Sequence, residues 1–298
     1  MAGATVVDGK AIAAKIEEEV RVEVGRLREA GVALRLDVAG FGGDAAFDSY
    51  ANGRADACAR VGIESERHVL PLDGGENAAI RALRALGADP AVDGVLLQMP
   101  LPEGFDSLRI LAALDPGKDV EGVHPESLGL LYLGIPRFAP CTAAAVIRIL
   151  EEHRVETAGR HAVIVGRSTV VGRALALLLL RKAPRGDATV TICHSRTRDL
   201  AAHTRRAEIL VTATGDPQSI KGDMLAPGVV AIDVGTNAVP DASAKKGYRL
   251  VGDFDFATVV EVASLVTPVP GGVGPVTVAT LLANTVKAAR RRVQEAAR

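Results

Sequence analysis

The stretch Val163-Ile164-Val165-Gly166-Arg167-Ser168-Thr169-Val170-Val171-Gly172-Arg173 decides the fold. Three β-branched residues read as a buried strand, and a glycine closes it just before a helical run begins. Such a strand-to-helix turn brings backbone N–H groups and a helix N-terminus up to a diphosphate, and glycine is needed where a side chain would block the approach. The spacing is not G-x-G-x-x-G, so the turn alone also fits a strand–helix connection without a ligand.

Working outward, the same alternation continues. Strand-like runs at 161–165, 189–193, 209–213 and 229–234 stand with helical runs at 142–153 and 171–182. Earlier in the chain, 4–7, 33–41, 67–72 and 94–99 read as strands, and 11–30, 49–61 and 77–86 as helices. Alternation of this kind predicts parallel β-α-β units rather than a β-sandwich or a helical bundle. Residues 100–140 read as loop-rich, and 266–275, with prolines at 268, 270 and 275, as a connector to a last helix over 276–297. The expectation is two α/β domains: 1–141 with 276–298 returning to it, and 142–275.

Composition narrows the function. The 298 residues carry 35 basic and 36 acidic side chains, a net charge of −1, and only 3% aromatics. No global field would recruit nucleic acid or an anionic membrane, and base-stacking platforms are scarce. Cys58, Cys141 and Cys193 have neither zinc-ligand nor disulfide spacing, so reduced cytoplasmic thiols are expected and no metal. Asp8 and Lys10 interrupt any secretory pattern, and the aliphatic run 174–180 is too short for a membrane span.

The strand at 189–193 ends in His194-Ser195-Arg196-Thr197-Arg198. Many NAD-binding folds place an acidic residue there for the ribose hydroxyls. Hydroxyl and guanidinium groups instead suit a 2′-phosphate, which favours NADP over NAD; the competing reading is a solvated basic strand end. His124 reads as a loop-fixing residue, and Asp253 and Asp255 as structural groups near the nicotinamide side. The run 290–292 is a solvated basic face.

Four motifs then stand in order: Ser49-Tyr50-Ala51-Asn52-Gly53-Arg54, Val95-Leu96-Leu97-Gln98-Met99-Pro100-Leu101-Pro102, the run from Asp115 through Lys118-Asp119-Val120-Glu121-Gly122 to Pro125, and Thr267-Pro268-Val269-Pro270-Gly271-Gly272-Val273-Gly274-Pro275-Val276-Thr277. Together with Pro140-Cys141-Thr142, they closely resemble the bifunctional methylenetetrahydrofolate dehydrogenase/methenyltetrahydrofolate cyclohydrolase family over essentially the whole chain. The resemblance implies two α/β domains flanking a cleft, the second a Rossmann-type NADP-binding domain, and a homodimer formed through that second domain. It implies a tetrahydrofolate one-carbon substrate, with Tyr50, Arg54, Gln98 and Glu121 at the catalytic positions. Substrate contacts would come from Tyr50, Gln98, Glu121, Pro270, Gly271 and Gly272. Cofactor contacts would come from Gly166, Arg167, Ser168, Gly172, Arg173, Ser195, Arg196 and Thr236.

Two departures bear on the chemistry. The family's lysine four residues after the tyrosine is Arg54 here, and its pterin-contacting aspartate is Glu121. A lysine with a depressed pKa can exchange a proton near neutrality, whereas a guanidinium stays charged. The expected activity is therefore NADP-dependent oxidation of methylenetetrahydrofolate with the cyclohydrolase step weak or lost. A bidentate Arg54–Glu121 pair would fill part of the pterin site. The rival readings are a paralogue acting on another reduced-pterin or one-carbon substrate, and a non-catalytic folate- or NADP-binding protein.

Overall fold

The computed structural model describes residues 3–42, 45–244 and 247–296, those at 45–47, 49, 50 and 296 by backbone alone. In chain order the elements are β1 (Thr5–Val6), α1 (Gly9–Glu29), β2 (Leu36–Phe41), α2 (Ala45–Val61), β3 (Arg67–Leu70), α3 (Gly75–Ala88), β4 (Gly94–Leu97), α4 (Ser107–Leu111), α5 (Pro125–Tyr132) and α6 (Cys141–Glu152). There follow β5 (His161–Val165), α7 (Ala174–Leu180), β6 (Thr189–Cys193), α8 (Leu200–Thr204), β7 (Ile209–Thr212), β8 (Val230–Asp233), β9 (Asn237–Pro240), β10 (Tyr248–Val251), α9 (Phe256–Val259), β11 (Leu265–Val266) and α10 (Val273–Ala296).

Contacts divide the chain into two compact units, Met1–Ala13 with Thr142–Thr277, and Ala14–Cys141 with Val278–Arg298. The breaks fall inside α1 and α10 and after the first residue of α6, so α1 and α10 contribute several residues to both units. The division differs from the sequence expectation at the N-terminus. Residues 3–13 go with the second sheet, because β1 pairs in parallel with β11, Thr5 opposite Leu265 and Val6 opposite Val266. A short apolar run ahead of a helix looks like the start of the nearest β-α unit; only the pairing reveals its sheet.

The unit of Ala14–Cys141 and Val278–Arg298 is built on a three-stranded parallel sheet in the order β3-β2-β4. Both faces of such a sheet are covered, which is why β4 is buried along its whole length and reads as an unbroken apolar run. Leu97, with Leu83 and Ile110, belongs to the core on one side. The segment read as loop-rich between 100 and 140 holds α4 and α5. Both are short helices with local caps: Asp106 accepts from Leu108 N and Arg109 N, and His124 accepts from Glu126 N. Hydrophobic periodicity is too brief in five and eight residues to betray a helix.

The other unit carries a six-stranded parallel sheet, β1-β11-β8-β7-β5-β6, and a separate β9-β10 hairpin. Order reverses at β5, which lies between β7 and β6. In open α/β sheets the crevice at such a reversal, beyond the carboxyl ends of the strands, is where ligands bind. The fold is thus two α/β units, one of them a doubly wound parallel sheet, as expected.

Leu97→Ala opens a cavity in the core packed against β4. A loss of about 2–5 kcal/mol is expected, read as a lower urea midpoint with unchanged slope.

Candidate functional site

The glycine turn after β5 is closed by backbone contact. Gly166 has φ +134°, and a Cβ there would stand 2.4 Å from the Ala213 carbonyl oxygen. At Gly172 a Cβ would meet the Gly166 carbonyl oxygen at 2.1 Å. Between them Ser168 caps a π-helical turn, Thr169–Arg173, that leads into α7. Val165, Gly166, Arg167, Ser168, His194 and Ser195 line a groove of about 400 Å³ with residues of the segment after β7. Glycine approach, a helix start and a cationic side chain in one groove are the donor set that a dinucleotide phosphate requires, so the residues fit NADP.

Of the expected cofactor residues, Gly166, Arg167, Ser168 and Ser195 line that groove, while Gly172 is buried under the turn. Arg173 and Arg196 are exposed and are not part of its lining. Thr236 lies in a second pocket of the same unit, of about 290 Å³, with Pro270, Gly271 and Gly272. The Val269–Pro270 peptide bond is cis. Lys10, at the start of α1, also lines this pocket; nothing in its local sequence singles it out.

In the other unit, Gln98 follows β4 directly and precedes a cis Met99–Pro100 bond. Its Oε1 is buried and has no hydrogen-bond partner among the described residues. An acceptor in that condition is poised for a ligand donor. Tyr50 and Arg54 sit one turn apart on α2, which puts both positions on one helix face. The side chain of Tyr50 lies outside the described residues, and Arg54 is half-buried.

Glu121 is presented by a tightly held loop. Buried Asp119 accepts from Val123 N at 3.1 Å, His124 N at 2.8 Å and Ser127 Oγ at 2.6 Å. Gly122 takes φ +74°, and a Cβ there would meet Ala139 C at 2.7 Å. On the far side, Cys141 N donates to the Glu121 carbonyl at 3.2 Å. Asn284 Nδ2 of α10 donates to the Val120 carbonyl at 2.7 Å. Asn284 was invisible in the sequence, being 164 residues away from its partner.

Electrostatics mark Glu121. Burial pushes its carboxyl up to about 7, the Asp119 charge adds to the rise, and Arg54 opposes it. Arg54 therefore acts on Glu121 through its field. Among the described residues no ion pair within 4.0 Å joins the two, so the expected bidentate pair does not form. The Cys141 thiol is driven well up, by burial first and then by Glu121, and is inert as a nucleophile. Lys118, three residues from Glu121, directs its ammonium to the Asp89 carbonyl at 2.5 Å.

Comparison with known proteins covers both units. The family model for the tetrahydrofolate dehydrogenase/cyclohydrolase catalytic domain matches residues 7–121, and that for the family's NAD(P)-binding domain matches 140–293. Bifunctional protein FolD 2 of Haloarcula marismortui is 46% identical over 285 residues, with 96% of each chain covered. Bifunctional protein FolD 1 of Myxococcus xanthus is 45% identical over 289 residues, covering 97% of this chain and 98% of that one. The crystal structure of FolD methylenetetrahydrofolate dehydrogenase/cyclohydrolase from Campylobacter jejuni has a TM-score of 0.90 at 39% identity, covering 97% and 99%. The Trypanosoma brucei enzyme, complexed with NADP and an inhibitor, has a TM-score of 0.92 at 36% identity, covering 99% and 100%.

The Glu121 carboxyl has its folded pKa raised from 4.5 to about 7, so the folded state holds the proton more tightly than the unfolded chain. Its contribution to stability is full below the unfolded value and is lost as pH rises towards 7. Urea unfolding of wild type and Glu121→Gln across that range should show the wild type losing up to about 3 kcal/mol relative to the variant.

Proposed function

Because the chain belongs to the tetrahydrofolate dehydrogenase/cyclohydrolase family, we propose that it oxidises 5,10-methylenetetrahydrofolate to 5,10-methenyltetrahydrofolate with NADP, and hydrolyses the methenyl product weakly. The observation that carries the second half is the pairing of a permanent cation, Arg54, with a buried carboxyl, Glu121, in its field. NADP, when bound, supplies the hydride acceptor. The chain's own task in that step is alignment of donor and acceptor, since the substrate nitrogens push the hydride out.

Gly166, Arg167, Ser168 and Ser195 hold the dinucleotide at its phosphates, with Arg173 and Arg196 as outer cations for the 2′-phosphate; the groove built on Gly166 and Ser168 supports this. The amide of Gln98 orients the reacting face together with Tyr50, and its bare Oε1 is the acceptor offered to the substrate. Glu121 receives the amine edge of the pterin. Pro270, Gly271, Gly272 and Thr236 bound the pocket at the other end of the cofactor path.

Hydration of the methenyl carbon makes a different demand: water must lose a proton as it adds, and the proton must leave. Arg54 holds positive charge at that position but releases no proton. Lys118 directs its ammonium to the Asp89 backbone carbonyl, and burial lowers its pKa. The cyclohydrolase step is accordingly the weaker of the two. The enzyme acts in the cytoplasm as a homodimer joined through the unit that carries β6, an outer strand with Thr189 and Ile192 exposed. Its partner molecules are the folate and NADP, with neither nucleic acid nor membrane. No helix among the described residues is long and apolar enough to cross a bilayer.

Assaying both steps separately on purified protein tests the reading. NADPH should form from methylenetetrahydrofolate, and Arg54→Lys should shift the ratio of hydrolysis to oxidation upward by roughly 100-fold. Unaltered partition in that variant would remove Arg54 as the cause.

A further inference from the structure

Two buried carboxylates outside the expected site connect the two pockets of the parallel-sheet unit. Asp233 ends β8 and lies on the wall of the pocket that holds Thr236 and Pro270. Its Oδ1 accepts from Gly235 N at 3.0 Å and Asp253 N at 3.1 Å, and its Oδ2 from Phe254 N at 2.8 Å. Thr212 at the end of β7 also donates to it, through Oγ1 at 3.3 Å. Asp253, following β10, passes the connection on. Its Oδ2 accepts from Thr214 N at 2.6 Å, and its Oδ1 from Asn237 Nδ2 at 3.0 Å. Thr214 belongs to the wall of the phosphate groove.

The carboxylates are locked by a reciprocal pair of glycines. A Cβ on Gly235 would stand 2.1 Å from Asp253 Oδ1, and one on Gly252 would stand 2.0 Å from Asp233 Oδ2. Each carboxylate thus occupies the space where the glycine beside the other would carry a side chain. The arrangement is costly unless it is saturated with donors. Burial raises the Asp233 carboxyl to about 6, and the neighbouring Asp253 charge adds to the rise. At neutral pH the charge is kept by the N–H groups around it.

We propose that Asp233 and Asp253 are positioning residues that hold the phosphate groove and the Thr236–Pro270 pocket at a fixed separation, so that a whole dinucleotide is bound across both. The chain of contacts runs from Gly235 through Asp233, Asp253 and Thr214, with one link at each loop that forms a pocket wall. This inference rests on the cofactor reading above. If the two pockets are held in register by these carboxylates, weakening the link spares each pocket but penalises a ligand that must span them.

The experiment compares NADP with the fragment 2′,5′-ADP, which fills only the phosphate end. Calorimetric titration is made on wild type and on Asp253→Asn, whose amide turns two donors toward the N–H of Thr214 or the amide of Asn237. NADP affinity should fall about tenfold, as for loss of one hydrogen bond to a charged group, while 2′,5′-ADP binds within about twofold of wild type. The steady-state KM for NADP should rise by the same factor. Asn237→Ala, which removes one partner of Asp253 and leaves both carboxylates, should show a smaller loss of the same kind and stands in if Asp253→Asn fails to fold. Equal loss for fragment and dinucleotide, or no loss in either variant, overturns the link. Wild type that binds neither ligand overturns the cofactor reading itself, and with it this inference.

Discussion

Irregular backbone at the carboxyl ends of buried strands must find hydrogen-bond partners without the help of a ladder, and the rest of this structure depends on how that requirement is met. Loops that carry functional side chains cannot be regular, yet they are packed too deeply for water to saturate them. Asp119, Asp233 and Asp253, each fully or almost fully buried, fill the gap. Each offers a carboxylate, the strongest acceptor a side chain has, to buried N–H groups: neighbouring backbone donors at Asp119 and Asp233, and Thr214 N with the Asn237 amide at Asp253. Glu121 and the pocket wall at Gly235 and Thr236 are held by this device in their separate units.

The same economy explains why glycines cluster beside these carboxylates. An aspartate that accepts several backbone donors must approach the main chain to within a hydrogen-bond length from more than one side. Gly235 and Gly252 admit it, and a methyl group at either would overlap a carboxylate oxygen. At Gly166 and Gly172 the contact is instead backbone against backbone, which lets the turn after β5 shut tightly enough to expose its N–H groups. Glycine is used in both places for approach, and at Gly166 for its positive φ as well.

Charge at Arg54 and Glu121 follows a different balance. The two residues differ in what they can do with a proton. A guanidinium is charged at every accessible pH, whereas the buried Glu121 carboxyl titrates near neutrality because burial opposes its ionisation more than Arg54 favours it. Of the two, the group whose charge changes near neutral pH is thus the acid.

Much of this was legible along the chain. The alternation of strand and helix, the glycine turn at Gly166 and the family motifs are local patterns, set by period and by residue chemistry within about ten positions. The short helices α4 and α5 were not, since too few turns leave no period to detect. Nor was the placement of Thr5 and Val6, which depends on a partner strand some 260 residues later. Tertiary structure alone decided that Arg54 and Glu121 act on each other through their charges, that Asn284 buttresses the Glu121 loop, and that Asp233 and Asp253 share one hub. Sequence by itself determines which groups are available and what each can do with a charge or a proton. Only the packed chain decides which of them are buried together, because desolvation and hydrogen bonding are properties of the surroundings that distant residues create.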